Sequence, residues 1–236
     1  MKIPLFDIDG TLLEARDPLH RKAFNYSFEK IYNQPPRQNE LNTNGMTDRQ
    51  IIVEVLKIRG ISPQQARKKI ETAMRVMVEF FNAHKQDLRP IVLPGVFDLL
   101  SDLKNMKTPL GLLTGNVEGI GWTRLGKAGL RDFFGFGAFG DKTEIRAELV
   151  EIARKNAEMA LNKKFQVQDF VIIGDSPKDI FCAKEAKVQI IAVSSCISSF
   201  EELEKESPDL LVHSLEEKDK ILDFLTTSVE RDENPL

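Results

Sequence analysis

The fold class of this chain is indicated by the stretch Ile3-Pro4-Leu5-Phe6-Asp7-Ile8-Asp9-Gly10-Thr11. Its first four residues form a short apolar run that ends abruptly at two aspartates and a glycine. Such a run is typical of a buried strand, and the polar residues with glycine that follow are typical of a tight turn. The sequence therefore predicts a strand that carries two carboxylates at its carboxyl end.

Short apolar runs recur after Pro90 and alternate with amphipathic segments. The runs cover 110–113, 170–173, 188–193 and 210–212, and helices are predicted near 96–105, 117–129, 145–161, 178–186 and 216–226. Near-continuous apolar strands separated by helices predict a parallel sheet that is covered on both faces.

A helical pattern fills the interval between these two parts. Helix-start signals occur at Asp17, which precedes Pro18, at Thr47 and at Ser62. The predicted fold is an α/β, Rossmann-like parallel sheet core with helices on both faces and an inserted all-helical cap. The expected bounds are a core of residues 1–14 and 92–228, a cap of 15–91 with hinges near 14–17 and 88–94, and a disordered tail of 229–236.

The composition excludes several classes of function. The 236 residues carry 33 Lys plus Arg against 36 Asp plus Glu, a net charge of −3 without a basic excess for a nucleic-acid backbone. No run approaches the ~18 apolar residues of a membrane span, and acidic residues interrupt any signal-peptide core. We therefore expect a cytoplasmic protein that binds neither nucleic acid nor membrane. Its two cysteines, Cys182 and Cys196, are expected to be reduced and structural.

Polar side chains follow three of the predicted strands at the point where each strand ends. They are Asp7 and Asp9 after the first, Thr114 and Asn116 after another, and Asp175 after a third. In an open parallel sheet, ligands bind outside the carboxyl ends of the strands, near the point where the strand order reverses. We expect these residues to converge in one crevice.

Asp7-x-Asp9-Gly10-Thr11, with Gly174-Asp175-Ser176-Pro177-Lys178-Asp179 at the far end, resembles the motifs of the haloacid dehalogenase superfamily. The resemblance covers the whole chain and includes an insert where that family places a helical cap. Within the family the chain is similar to the phosphoglycolate-phosphatase-like branch. The resemblance implies a magnesium-dependent phosphatase that hydrolyses a small, phosphoglycolate-like phosphorylated metabolite through an aspartyl-phosphate intermediate.

The resemblance also implies roles for the aspartates. Asp7 is the expected nucleophile, and Asp9 is the expected general acid and base, which protonates the leaving oxygen and then deprotonates water. Asp7, Asp175 and the main-chain carbonyl of Asp9 are the expected ligands of Mg²⁺, which prefers hard oxygen donors. Asp179 is expected to orient Asp175 or to hold ligand waters.

The family's second motif corresponds here to Thr114, Gly115 and Asn116, which are the expected phosphate contacts. Its third motif is expected to supply a basic residue. Thr114 offers a hydroxyl donor, and Gly115 and Asn116 offer main-chain N–H groups where a helix begins. The branch usually has a Lys-Pro pair in its third motif, which this chain lacks. The resemblance favours Arg146 over Lys142 as the residue that screens the charge, because its position at the predicted start of a long helix fits the family arrangement better.

Three further residues near these motifs have less specific expectations. Asp141 is as consistent with a turn residue as with a supporting role. His20 and Arg49 are the cap residues expected to contact the substrate, although a structural His and an exposed helix-terminal Arg are common.

Two other functions are consistent with the same sequence motifs. A phosphosugar mutase of the β-phosphoglucomutase type shares the motifs and the cap, and a non-catalytic binding protein could keep the fold. Asp9, Thr11 and Asp175 argue against carbon–halogen cleavage. Gly121-x-x-x-x-Gly126-Lys127 is one residue short of a nucleotide P-loop, but it falls in a predicted helix and we reject that function. The sequence does not determine the oligomeric state or the physiological substrate.

Overall fold

The computed structural model describes residues 1–15, 17–37, 41–195 and 197–227. Within them, six strands pair in parallel in the order β3-β2-β1-β4-β5-β6. The strands are β1 (Ile3–Phe6), β2 (Gly111–Thr114), β3 (Phe136–Phe139), β4 (Phe170–Gly174), β5 (Gln189–Val193) and β6 (Leu210–Val212). This confirms the predicted parallel sheet. Cys196 and the expected tail of 229–236 lie outside the described residues.

Helices connect and flank these strands. They are α1 (Pro18–Tyr32), α2 (Asp48–Ile58), α3 (Pro63–Ala83), α4 (Val96–Asn105), α5 (Glu118–Lys127), α6 (Glu148–Leu161), α7 (Pro177–Ala186), α8 (Phe200–Lys205) and α9 (Lys218–Thr226). The side chains of Asp17, Thr47 and Ser62 accept hydrogen bonds from main-chain N–H groups at the starts of α1, α2 and α3, as the sequence signals predicted. None of the described helices is long and apolar enough to span a membrane.

The two faces of the sheet bury separate apolar clusters. On β1, Ile3 and Leu5 belong to the cluster shared with α6, α7 and α8, while Phe6 belongs to the cluster shared with α4, α5 and α9. Leu5 and Phe6 are fully buried, and burial of one such side chain contributes about 1.5–3 kcal/mol. Because both faces are covered, the strands read as continuous apolar runs rather than as alternating ones.

The helical insert forms a third apolar cluster of its own. Helices α1, α2 and α3 pack together, and the cluster continues onto Val117 and Ile120 at the start of α5. The two chain segments that connect this insert to the sheet lie side by side, since Glu14 N–H donates to Ile91 O at 2.9 Å. Packing therefore distinguishes α1, α2 and α3 from the core around the sheet. The bounds of the core and the cap, and the hinges between them, stay a prediction.

The strand order reverses between β1 and β4. The chain proceeds from β1 through β2 to β3 on one side, and it then returns to place β4, β5 and β6 on the other. Leu5 of β1 lies opposite Gly111 of β2 and Ile172 of β4. The crevice at the carboxyl ends of β1 and β4 is therefore the expected ligand position in this sheet.

Candidate active site

Three aspartates meet at the carboxyl ends of β1 and β4. Asp7 follows β1, and its N–H donates to Ile173 O of β4 at 2.9 Å. Asp175 follows β4, and Asp179 lies in the first turn of α7. The carboxylates of Asp7, Asp175 and Asp179 place oxygens within 4.8 Å of one another, and all three residues are buried. The predicted convergence of these strand ends is present in the structure.

The turn after β1 approaches Asp175 closely enough to require glycine. Gly10 has a φ of +75°, and a Cβ built there would lie 2.0 Å from Asp175 Oδ2. Glycine therefore satisfies both the left-handed backbone and the contact. Ser195 Oγ donates to the same Asp175 oxygen at 2.7 Å and fixes it from the other side.

Arg146 is the basic residue that reaches the aspartates. It lies two residues before α6 and is buried. Its Nη2 donates to Asp7 Oδ2 at 3.0 Å and to Asp179 Oδ1 at 2.5 Å. The other oxygen of Asp179 accepts from Ser176 N–H and Oγ, so Asp179 holds Arg146 and caps α7 at once.

Lys142, the alternative to Arg146, lies at the surface instead. Its Nζ is 2.8 Å from Asp141 Oδ2 and 3.3 Å from Glu118 Oε2, and its side chain is half-exposed. Asp141 Oδ1 also accepts from Glu118 N–H at 3.2 Å, at the start of α5. Asp141 therefore supports the end of the second motif rather than serving only as a turn residue.

This cluster contains three carboxylates and one guanidinium, which contacts Asp7 and Asp179, so negative charge is in excess. Burial, opposed by Arg146, raises the pKa of Asp7 to about 6. Burial together with Asp179 and Asp7 raises the pKa of Asp175 to about 8. A set of close carboxylate oxygens with uncompensated charge fits a hard divalent cation such as Mg²⁺.

Asp9 has a different environment, although it is only two residues from Asp7. Arg124 contacts both of its carboxylate oxygens, with Nη2 2.7 Å from Oδ1 and Nη1 2.9 Å from Oδ2. Asn116 Nδ2 donates to Oδ2 at 2.6 Å. Burial alone would raise the pKa of Asp9, but Arg124 and Asn116 outweigh it and hold that pKa below its usual range. The Asp9 side chain stays 30% exposed.

Arg124 was not predicted from the sequence. It lies inside the P-loop-like stretch that we rejected, on the buried face of α5 beside Ile120 and Leu125. A single arginine within an apolar helical stripe was the available signal, because a fully buried Arg needs an acidic partner. The identity of that partner required the fold.

The three residues of the second motif differ in position. Gly115 and Asn116 line the cavity at the site, whereas Thr114 is fully buried below it and does not. Thr114 Oγ1 accepts from Asn116 N–H at 3.3 Å and from Asn116 Nδ2 at 2.9 Å. Thr114 thus orients Asn116, which in turn contacts Asp9; their contacts with phosphate stay a prediction.

A cavity of about 570 Å³ extends from Asp7 and Asp175 to the helical insert, where His20 lines it. His20 Nε2 lies 2.9 Å from Asp48 Oδ2, and Asp48 also accepts from Val117 N–H at 2.8 Å. Burial alone would lower the pKa of His20, but the Asp48 carboxylate holds it above its usual value. Asp48 was not predicted, and a carboxylate in the first turn of a helix gives no distinct signal.

Arg49 does not line the cavity. Its guanidinium forms an ion pair with Glu71 of α3 and contacts the carbonyl of Asp141 at 3.5 Å. The main chain explains this position, because Arg49 N–H donates to Gly140 O and Asp48 N–H donates to Gly115 O. These bonds turn Asp48, rather than Arg49, toward the site.

Comparisons with known proteins agree with this geometry. The family model of the haloacid dehalogenase-like hydrolases matches residues 4–193. The pyrophosphatase PpaX of Oceanobacillus iheyensis is 26% identical over 221 residues, which cover 90% of this chain and 92% of that protein. A phosphoglycolate phosphatase of Chromobacterium violaceum is 26% identical over 222 residues, covering 92% and 94%. The crystal structure of CbbY from Rhodobacter sphaeroides in complex with phosphate shares the fold, with a TM-score of 0.70 at 23% identity over 92% of this chain and 96% of that one.

Proposed function

The chain belongs to the haloacid dehalogenase-like hydrolase family, as its motifs predicted, and on this premise we propose that it is a magnesium-dependent phosphatase of small phosphorylated metabolites. The observation that carries the proposal is the cluster of Asp7, Asp175 and Asp179 around the guanidinium of Arg146 at the strand-order reversal. The names of two relatives, a pyrophosphatase and a phosphoglycolate phosphatase, support the reaction class.

Asp7 is the proposed nucleophile. One of its oxygens attacks phosphorus, forming an aspartyl-phosphate while the bond from phosphorus to the leaving oxygen breaks. Asp9 donates a proton to that leaving oxygen, and in the second step it takes a proton from the water that attacks the aspartyl-phosphate. Arg146 donates to Asp7 Oδ2 at 3.0 Å, which fixes the orientation of the carboxylate and screens the charge of an approaching phosphate.

Asp7, Asp175 and the main-chain carbonyl of Asp9 are the residues that would hold Mg²⁺. The bound ion would supply positive charge opposite the phosphate and the carboxylates. Ser195 holds Asp175 through a 2.7 Å hydrogen bond, and Asp179 is occupied by Arg146 and Ser176. Asp179 is therefore proposed to orient Arg146 rather than Asp175.

Helices α1, α2 and α3 are the proposed cap, within residues 15–91, and the segments near 14–17 and 88–94 are the proposed hinges. Gly115 and Asn116 line the cavity below them and are the proposed phosphate contacts, while His20 is the proposed contact from the cap. Closure of such a cap over a bound ester would exclude bulk water during phosphoryl transfer. Phosphoglycolate is the first substrate to test.

The test is phosphate release from a panel of small phosphate esters, with and without Mg²⁺. Wild type is expected to hydrolyse at least one ester with Mg²⁺, and Asp7→Asn is expected to lose about 10⁴–10⁶-fold in kcat. Asp102→Asn, a partly exposed ion-pair residue on α4, is the matched control. Equal, measurable rates for wild type and Asp7→Asn would contradict the nucleophile. No phosphate release by either protein would favour a binding protein. Conversion of a sugar monophosphate in the presence of its bisphosphate, faster than phosphate release, would favour a mutase.

A further inference from the structure

Arg124 is a buried guanidinium with no part in the proposed reaction as described so far. Its side chain is 2% exposed, and it projects from α5 toward the turn after β1. It contacts both carboxylate oxygens of Asp9, at 2.7 Å and 2.9 Å, and its Nη1 donates to Asn116 Oδ1 at 3.1 Å. A planar guanidinium that holds both oxygens fixes the plane of a carboxylate as well as its position.

The same guanidinium contacts the chain that leads into α1. Arg124 Nη2 donates to Glu14 O at 3.4 Å, and Nε lies 3.4 Å from Oδ2 of Asp17, the N-cap residue of α1. Arg124 therefore joins α5, the turn that carries Asp9 and the first residues of the helical insert. Such a charge is costly to bury, and acidic partners on two segments explain why it is retained here.

The chemistry of arginine limits what Arg124 can do. A guanidinium stays protonated in proteins, so Arg124 cannot relay a proton and acts on its partners through its position and its charge. An ionised carboxylate has about four lone-pair sites. Asp9 uses three of them on Arg124 and Asn116, and its side chain remains 30% exposed in the cavity. One site is thus left for exchange of a proton with a bound ester or water.

We propose that Arg124 is a positioning residue that holds the Asp9 carboxylate in the orientation from which it exchanges a proton with the leaving-group oxygen. The inference rests on the proposed function and adds to it a residue outside the family motifs quoted above. It does not require Arg124 to touch the substrate.

The leaving group distinguishes this role from a structural one. An alkyl phosphate releases its alcohol only when the oxygen that takes the bonding electron pair also receives a proton from Asp9. Acetyl phosphate releases acetate, which leaves as a carboxylate and needs no proton. General-acid catalysis contributes about 10²–10⁴-fold where it operates. We use kcat/KM because it reports the steps through loss of the leaving group and excludes the later hydrolysis of the aspartyl-phosphate.

The experiment measures kcat/KM for acetyl phosphate and for an alkyl phosphate that wild type hydrolyses. Both values are measured in wild type and in Arg124→Gln. We expect the alkyl phosphate value to fall about 10²-fold more than the acetyl phosphate value. Arg124→Lys keeps the buried charge but loses the two-pronged contact, and we expect the same selective loss at a smaller size. Lys127→Met, an exposed change on the same helix, is the matched control and is expected to leave both values unchanged.

The two failures are distinguishable. If wild type hydrolyses neither ester, the proposed function is wrong and this inference falls with it. If wild type hydrolyses both and a folded Arg124 variant loses activity equally on both, Arg124 is structural and the inference is overturned. An unchanged ratio in Arg124→Lys, with Tm near wild type, overturns it as well, so the result does not depend on whether Arg124→Gln folds.

Discussion

Two groups of arginine and aspartate lie side by side at the end of β1, and they have opposite electrostatic character. The Asp7 cluster comprises Arg146 with Asp7, Asp175 and Asp179; the Asp9 cluster comprises Arg124 with Asp9 and Asn116. In the first, burial and mutual repulsion raise the pKa values of Asp7 and Asp175 to about 6 and about 8. In the second, Arg124 and Asn116 overcome burial and lower the pKa of Asp9.

The difference shows how charge ratio and hydrogen bonding assign different tasks to neighbouring carboxylates. A guanidinium shared between two carboxylates, with a third carboxylate beside them, leaves negative charge that a divalent cation can balance. A guanidinium that holds both oxygens of one carboxylate fixes the orientation of that group and lowers its pKa. Asp7 and Asp9 are only two residues apart, yet Asp7 contacts Arg146 and Asp9 contacts Arg124.

Replacement of Arg146 should produce the largest change in stability. Arg146→Met leaves Asp7 and Asp179 buried without their guanidinium, and loss of one partner of a buried ion pair costs about 3–5 kcal/mol. Urea unfolding at pH 7.5 without Mg²⁺ is the measurement. We expect Mg²⁺ to recover part of the loss, since the Asp7 cluster gains positive charge. A loss below ~1 kcal/mol would show that the cluster does not depend on Arg146.

The pH dependence of stability should separate the two clusters. Asp7 and Asp175 have pKa values raised to about 6 and about 8, so the folded state binds more protons than the unfolded state from about pH 4 upward. Stability without Mg²⁺ should therefore fall as the pH rises from 5 to 8, by about 1.4 kcal/mol per pH unit for each extra proton. Asp175→Asn should flatten this slope in urea titrations.

Mg²⁺ provides the complementary measurement. Because cation binding competes with protons on Asp7 and Asp175, Mg²⁺ should raise Tm more at pH 8 than at pH 5.5. Asp102→Asn should behave as wild type. An equal Tm increase at both pH values, or one that persists in Asp175→Asn, would place the cation outside the Asp7 cluster.

The contact between His20 and Asp48 tests whether a charged pair joins α1 and α2 within the insert. Asp48→Asn removes the carboxylate that raises the pKa of His20, so an NMR titration should show that pKa lower than in wild type. A raised His pKa stabilises the folded state below about pH 6.5, and this contribution is lost as the pH rises through the folded-state pKa. An unchanged His20 pKa would contradict the pair.

Replacement of Lys142 should have the smallest effect on activity and stability. It tests the assignment of Arg146, rather than Lys142, as the residue that screens the charge. Lys142→Met removes a half-exposed ion pair with Asp141 and Glu118, and such pairs contribute about 0–1 kcal/mol. We expect unchanged kcat and a change in unfolding free energy below ~1 kcal/mol. A large loss of kcat would reverse the assignment of Arg146 and Lys142.

Much of the fold was predictable because its signals are local. These signals are the apolar run before Asp7, the helix N-cap residues Asp17 and Ser62, and Gly10. Each of them determines the structure of residues close to it in sequence. Helix α8 was missed, although Ser199 and Glu202 form a capping box at its start. That helix is only one and a half turns long, so it has no apolar period to detect.

Less of the site was predictable because its partners come from distant positions. The sequence favoured Arg146 over Lys142, and the structure brings Arg146 to Asp7, 139 positions earlier in the chain. It did not predict that Arg124 would meet Asp9, or that Asp48 rather than Arg49 would turn toward the cavity. Each depends on how α5 and α2 pack against loops far away in sequence.

The parallel α/β class, the helical insert and the family of this chain follow from the sequence, since apolar periodicity, helix caps and the two aspartate motifs lie in consecutive residues. Which guanidinium faces which carboxylate depends on the tertiary structure. The sequence does not distinguish two aspartates in one turn, and they differ because Arg146 contacts Asp7 and Arg124 contacts Asp9 in buried surroundings, where charge interactions are strongest.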